Sequence, residues 1–234
     1  MGYLKDISNG LLDIIYQPFC VICETVCDDY LCDKCLEKIE IITPPYCHRC
    51  GIPCETYLCT SCREREFYFD RAVSAGIFDG VLREAIHKFK FKSIETLIEP
   101  LGNILVNYYI STGFNKRIDL VIAVPIHKSR CIERGFNQAE KLSNYLSRHY
   151  YIPSCNDALV KIKKTSDQAD LQLDERMINL QDVFYAKNKT VISGKRILLI
   201  DDVFTTGSTV NEASKALKEA GAKEVYVYTL ARSL

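Results

Sequence analysis

The apolar positions change their period along the chain. In residues 3–16, Tyr3, Leu4, Ile7, Leu11, Ile14 and Ile15 recur at roughly helical spacing, which predicts a short amphipathic helix stopped before Pro18. Few basic residues accompany them, so docking on the rest of the chain is favoured over a lipid surface. Ala72 to Phe78 reads as a strand, and Asp79 then caps a helix from Val81 to about Lys90. A long helix, roughly Ile94 to Thr112, ends at Gly113. Asp119 to Val124 holds the run Leu120-Val121-Ile122-Ala123-Val124, a buried strand. A helix opening at Arg134 to Ala139 runs to about His149, and short strands are expected near Leu159 to Lys163 and Asp182 to Ala186. Ile197 to Ile200 is a continuous apolar run, as in a strand buried on both faces. Val210 to Ala220 is helical and ends at Gly221; Glu224 to Ala231, rich in Val and Tyr, is a final strand. Strands alternating with helices predict an α/β domain, a parallel sheet flanked by helices.

Composition divides the chain in two. The 234 residues carry 30 basic and 30 acidic side chains, so the molecule as a whole is no general polyanion binder. Residues 1–70 hold six Lys/Arg against twelve Asp/Glu, which leaves 24 and 18 for the remainder. An acidic half and a basic half imply separate domains, with Arg65 to Asp70 as the boundary: 1–68 and 69–234. Nothing resembles a secretion signal or a membrane span, so a cytoplasmic protein without membrane insertion is expected. In that compartment twelve cysteines point to metal, not disulfides.

The cysteines form a repeat. Cys20-x2-Cys23-x8-Cys32-x2-Cys35 returns as Cys47-x2-Cys50-x8-Cys59-x2-Cys62. Tyr30-Leu31-Cys32 matches Tyr57-Leu58-Cys59, and Cys27 matches Cys54. Each Cys-x2-Cys turn aims two thiolates at one centre, and two turns complete a tetrahedral, structural Zn²⁺ site. Two stacked ribbons are the simple reading; a cross-braced arrangement would exchange the second pairs. Cys27 and Cys54 are surplus. Gly51 suits the turn after Cys50, whereas Glu24 stands at that point in the first copy. The added negative charge of two thiolate centres favours protein docking or plain stabilisation for this segment over phosphate contact.

After Ile200 come two carboxylates, Asp201 and Asp202, then Val203 and Phe204, then Thr205, Thr206, Gly207, Ser208 and Thr209 at the start of a helix. Ligands of open α/β sheets sit at the carboxyl ends of strands. Small hydroxyl residues opening a helix present N–H and O–H donors to a phosphate. Adjacent acids repel and need hydroxyls or a cation. Phosphate plus diol at this spacing describes a ribose 5-phosphate. No Walker lysine is present. His87, Lys88, Lys90 and Lys92, with Phe89 and Phe91 between them, make a basic cluster that is either a solvated face or a rim for phosphates or single strands.

The stretch from Leu198 to Thr209 resembles, without departure, the signature of the type I phosphoribosyltransferases. That resemblance implies a sheet of that fold behind a small zinc-ribbon domain. It gives Asp201 and Asp202 the ribose hydroxyls, and Thr205, Thr206, Gly207, Ser208 and Thr209 the 5-phosphate. The loop after Val124, with His127, Lys128 and Arg130, would grip pyrophosphate, commonly with an unusual peptide geometry; Lys161, Lys163 and Lys164 would approach from across the crevice. Mg²⁺ would bridge diol and pyrophosphate. Val124-Pro125 followed by Arg134-Gly135-Phe136-Asn137-Gln138-Ala139 narrows the likeness. With the cysteine repeat, Thr165 to Gln168 and Glu175 to Asn179, it resembles the ComF family, competence-associated homologues with an N-terminal double zinc ribbon. Arg134, Asn137 and Gln138 are family-motif residues, and the polar loop Ala169 to Gln172 is a candidate flap. Cys131 and Cys155 read as packed thiols.

Three functions follow from this reading. One is displacement of pyrophosphate from phosphoribosyl pyrophosphate by a nitrogen nucleophile. Another is handling of single-stranded DNA during uptake. The last is an adaptor whose zinc region docks a DNA-uptake helicase or channel protein.

Overall fold

The computed structural model describes residues 18–91, 94–114, 118–163 and 183–234. The expected helix at 3–16, Lys92, Lys164 and the stretch 165–182 lie outside the described residues. Four parallel strands form the main sheet in the order β1 (Arg71–Ile77), β6 (Glu224–Arg232), β5 (Arg196–Phe204), β2 (Leu120–Ala123). Each strand alternates between two packed faces, as a sheet covered on both sides requires. On one face Val73, Val121, Leu198, Ile200, Tyr226 and Tyr228 meet α3 (Gly80–Phe91), α4 (Ile98–Tyr109) and α6 (Gln138–Tyr150). On the other, Leu120, Ile122, Ile197, Leu199, Val225 and Val227 meet α8 (Ser208–Glu219) and the short α7 (Lys189–Ile192). Ile197 to Ile200 are fully buried; each such side chain stabilises by about 1.5–3 kcal/mol.

The strand expected at Ile197 to Ile200 is longer than its apolar run. β5 pairs with β6 as far as Phe204↔Arg232, whereas its pairing with β2 stops at Ala123↔Ile200. Asp201 to Phe204 therefore project past the end of β2 on one side while still held by β6 on the other. This overhang opens the crevice.

Two expectations need correction. The strands near 159 and 184 are β3 (Leu159–Lys161) and β4 (Phe184–Ala186), paired antiparallel in a ribbon of their own, outside the parallel sheet. Three-residue runs bury one apolar edge by pairing with each other over the α8 face. Residues 128–134 are not a loop but a helix, α5 (Lys128–Arg134), separated from α6 by Gly135 in the left-handed region. The long helix near 94–112 forms with 3-10 turns at both ends and stops at left-handed Gly113, as expected.

The cysteine-rich segment, with the short helices α1 (Asp33–Leu36) and α2 (Thr60–Glu64), is built into this frame. Its first copy, with Cys20, Leu31, Cys35 and Ile39, packs in the core on the α3 side. The second, with Cys47 and Cys50, packs on the α8 side. Between them, residues 40–49 cover the free edge of β1: Ile42 N donates to Ala75 O at 2.9 Å, Ile77 N to Glu40 O at 2.8 Å and Ala72 N to Arg49 O at 2.7 Å. An exposed edge strand is thereby avoided.

Zinc centres and candidate active site

The four Sγ atoms of Cys20, Cys23, Cys32 and Cys35 lie within 4.8 Å of one another, as do those of Cys47, Cys50, Cys59 and Cys62. Cys23 and Cys32 Sγ are 3.6 Å apart, and Cys50 and Cys59 Sγ are 3.7 Å apart. A tetrahedral Zn²⁺ with bonds near 2.3 Å needs sulfurs about 3.8 Å apart, so both sets fit the ion. Each ribbon closes its own site with cysteines of its own copy, not cross-braced, and Cys27 and Cys54 stand outside both sets. Both knuckles repeat one hydrogen bond, Glu24 N to Cys20 O and Gly51 N to Cys47 O. Glu24 and Gly51 are both left-handed, at φ 60° and 73°. Glycine is required only at the second, where a Cβ would come within 2.8 Å of Ala72 O.

Asp201 and Asp202 stand on the overhang of β5, which places them at the rim of a cavity of about 310 Å³. Phe78, Lys90, Phe204, Thr205, Gly207 and Thr209 also line it. Lys90 Nζ is 2.8 Å from Asp202 Oδ1, and Asp202 N donates to Asp201 Oδ1 at 2.9 Å. Burial first, then the neighbouring Asp202 charge, push the Asp201 carboxyl up to about 7; Lys90, the Asp202 N–H and Lys161 oppose the rise. Asp201 therefore takes up a proton far more readily than an ordinary carboxyl. Lys90 was visible in the sequence as part of a basic cluster, but its partner was not.

The turn is built by Gly207. It caps α8 from the left-handed region, φ 79°, with no side-chain cap, so the first N–H groups of a twelve-residue helix face the turn. The five residues do not share one side. Thr205, Gly207 and Thr209 face the acid pair. Thr206 and Ser208 bond each other at 2.7 Å and line a second hollow with Arg65, Phe67 and Asn211.

The residues expected to meet pyrophosphate stand apart from this cavity. His127 caps α5, its Nδ1 accepting from Ser129 N at 3.2 Å. Lys128 and Arg130 lie on α5, where Arg130 pairs with Glu133 at 3.5 Å. The peptide bonds of 124–130 are trans. Lys163 follows β3 and is not among the residues lining the acid-pair cavity. Cys131 is exposed on α5, against the expectation of a packed thiol, because that helix buries no residue; Cys155 is half-buried, its Sγ 3.1 Å from Asp157 Oδ1.

A phosphoribosyl transferase domain model matches residues 114–234 and a double zinc ribbon domain model matches residues 11–66. Competence protein F of Haemophilus influenzae is 35% identical over 177 residues, covering 73% of this chain and 76% of its own. DNA utilization protein YhgH of Escherichia coli K12 is 30% identical over 170 residues, 71% and 74% of the two chains. Competence protein ComFC of Bacillus subtilis is 33% identical over 160 residues, 67% and 62%. The chain belongs to the ComF family.

Within this ComF chain the motif residues 134–138 mostly build the frame. Asn137 Oδ1 accepts from Ala139 N at 3.1 Å as the cap of α6, and its Nδ2 donates to Val124 O at 3.1 Å, tying α6 to the end of β2. Gln138 is buried beside it. Arg134 places its guanidinium 5.1 Å from the Phe91 ring centroid. His87 packs between Phe78 and Phe91, and burial first, then Arg83 and Lys90, lower its pKa. Lys88 is turned away, donating to Val21 O of the first ribbon and pairing with Glu84 at 3.0 Å. Phe204 and Arg232 complete the floor beneath the turn. Only an arginine in an otherwise buried strand hinted at the latter. No helix among the described residues is long and apolar enough to cross a membrane.

Proposed function

We propose that the crevice at the end of β5 binds the phosphoribosyl group of phosphoribosyl pyrophosphate, or of another ribose 5-phosphate, and that the chain serves DNA uptake in the cytoplasm. One observation carries the reading: an acid pair and the first turn of a long helix line the same cavity. Thr205, Gly207 and Thr209 would take the 5-phosphate, and Asp201 and Asp202 the ribose hydroxyls. The two carboxylates also suit Mg²⁺, a hard cation preferring oxygen donors, which would supply neutralisation of the pyrophosphate charge. Lys90 already stands on Asp202 and is placed to meet an anion at the same rim. The reaction supported is displacement of pyrophosphate at C1 by a nitrogen nucleophile. The chain's part is to orient the diol and stabilise charge as the bond to pyrophosphate opens; no side chain need form a covalent bond. His127, Lys128 and Arg130 would reach the leaving group by a shift of α5.

Calorimetric titration with phosphoribosyl pyrophosphate and magnesium, followed by product analysis against a panel of nucleobases, tests this. Replacing Asp201 and Asp202 together by Asn should abolish binding with zinc content unchanged. Unaltered affinity in that variant refutes the site.

A second reading is favoured by Phe91, which is exposed on α3 between His87 and Arg134, close to Lys90. An aromatic face among cations suits single-stranded DNA, and the name of one relative, DNA utilization protein, agrees. Salt-dependent binding of single-stranded DNA that is lost in Phe91→Ala supports it; no binding at low salt removes it. A helicase or channel partner would approach the zinc ribbons.

A further inference from the structure

The floor of the phosphate turn is joined to the second four-cysteine centre through one side chain. Arg232 ends β6 opposite Phe204 and is 5% exposed. Its Nη1 donates to Cys50 O at 2.6 Å and its Nη2 lies 3.6 Å from Cys50 Sγ. The other side of the guanidinium covers the Phe204 ring, 4.4 Å from its centroid. That ring is in turn the wall against which Gly207 is built: a Cβ at Gly207 would be 2.5 Å from Phe204 Cζ. Phe69 holds the ring edge-on at 6.1 Å, and Ser233 N donates to Phe204 O at 2.9 Å. The first four-cysteine centre has a different neighbour, α3, through Val21 O and Lys88.

We propose that Arg232 is a positioning residue that couples the second zinc centre to the phosphate turn, so that ligand at the turn and metal at Cys47, Cys50, Cys59 and Cys62 stabilise each other. The proposal rests on the reading of Thr205 to Thr209 as the phosphate turn. Its cause is electrostatic. A buried guanidinium needs a facing negative charge. Four thiolates around Zn²⁺ carry two net negative charges. Without the ion nothing holds the four sulfurs around one charged centre facing Arg232, and the guanidinium then gains by turning to solvent. Phe204 loses its cover in that event, and the turn loses the surface that shapes it.

The test uses the full chain with both zinc ions, a chelator and a metal-indicating dye. Arg232→Met should release one of the two ions about tenfold faster or more and leave the other unchanged, the usual effect of removing a group that bonds a metal ligand. Arg232→Lys, which keeps charge but not the planar stack, should fall between. In the wild-type chain, phosphoribosyl pyrophosphate with magnesium should slow the release of one ion only, because coupling between two sites acts in both directions. A residue that merely packs would not give that reciprocal protection. Equal release of both ions in wild type and Arg232→Met overturns the coupling. So does a bound ligand that protects neither ion or both alike. If the wild-type chain binds no phosphoribosyl compound, the functional reading fails, while the comparison of wild type with Arg232→Met still decides whether Arg232 holds the second metal. If Arg232→Met does not fold, the wild-type protection experiment and Arg232→Lys decide the matter.

Discussion

Asp201 shows what a single side chain contributes. Its carboxyl is raised from an ordinary 3.8 to about 7 by burial and by Asp202. The native chain therefore binds a proton more tightly than the unfolded chain does. That stability is complete below the unfolded value and is lost as pH rises through the native one. Melting temperatures should fall between about pH 4 and 7 in the wild type, and this fall should flatten in Asp201→Asn. Ligands that need the ionised pair should bind more tightly as pH climbs toward 7. Lys90→Met removes a cation that favours ionisation, so the midpoint of that binding curve should move to higher pH. The acids and their spacing from the turn were legible in sequence. The ion pair with Lys90 was not, because α3 precedes β5 by more than a hundred residues and nothing local links them.

At the scale of elements, Asn137 is the joint between β2 and α6. Losing a cap of this kind costs about 1 kcal/mol, and leaving Val124 O without its buried donor adds about as much again. Urea denaturation of Asn137→Ala should register a loss of about 2 kcal/mol from these two terms together. Gly207→Ala should be worse than its size implies. The left-handed backbone alone costs about 1–2 kcal/mol, and the added methyl must also push aside Phe204. Gly207→Val would disturb Arg232 and the second ribbon as well, through Phe204. Long apolar runs announced β1, β2, β5 and β6. α5 went unseen because Lys128 to Arg134 has no buried residue, hence no periodic face to detect. The pairing of β3 with β4 was hidden because three apolar residues do not specify a partner.

At the scale of the whole molecule, the cysteine repeat and the sheet pack as neighbours. One ribbon is packed on each face of the sheet, and the segment between them covers β1. Metal analysis should find two zinc ions per chain; Cys23→Ser should leave one, while Cys27→Ser and Cys54→Ser should keep both. A chain lacking residues 1–66 should precipitate, because the edge of β1 is then bare. The repeat of cysteines was plain in sequence, but its placement on opposite faces was not. Arg232 and Cys50, 182 residues apart, meet only after the sheet has closed.

The strand order has a consequence for synthesis. The inner neighbour of β1 is β6, and residues 78–223 separate them. At about 5–20 residues per second, a nascent chain waits roughly seven to thirty seconds for that neighbour to emerge. Through that interval the outer flank of β1 is guarded only by a ribbon whose shape depends on its ion. Translation in zinc-starved cells would leave both flanks bare, and the loss would be seen as inclusion bodies, not as a folded but inactive product.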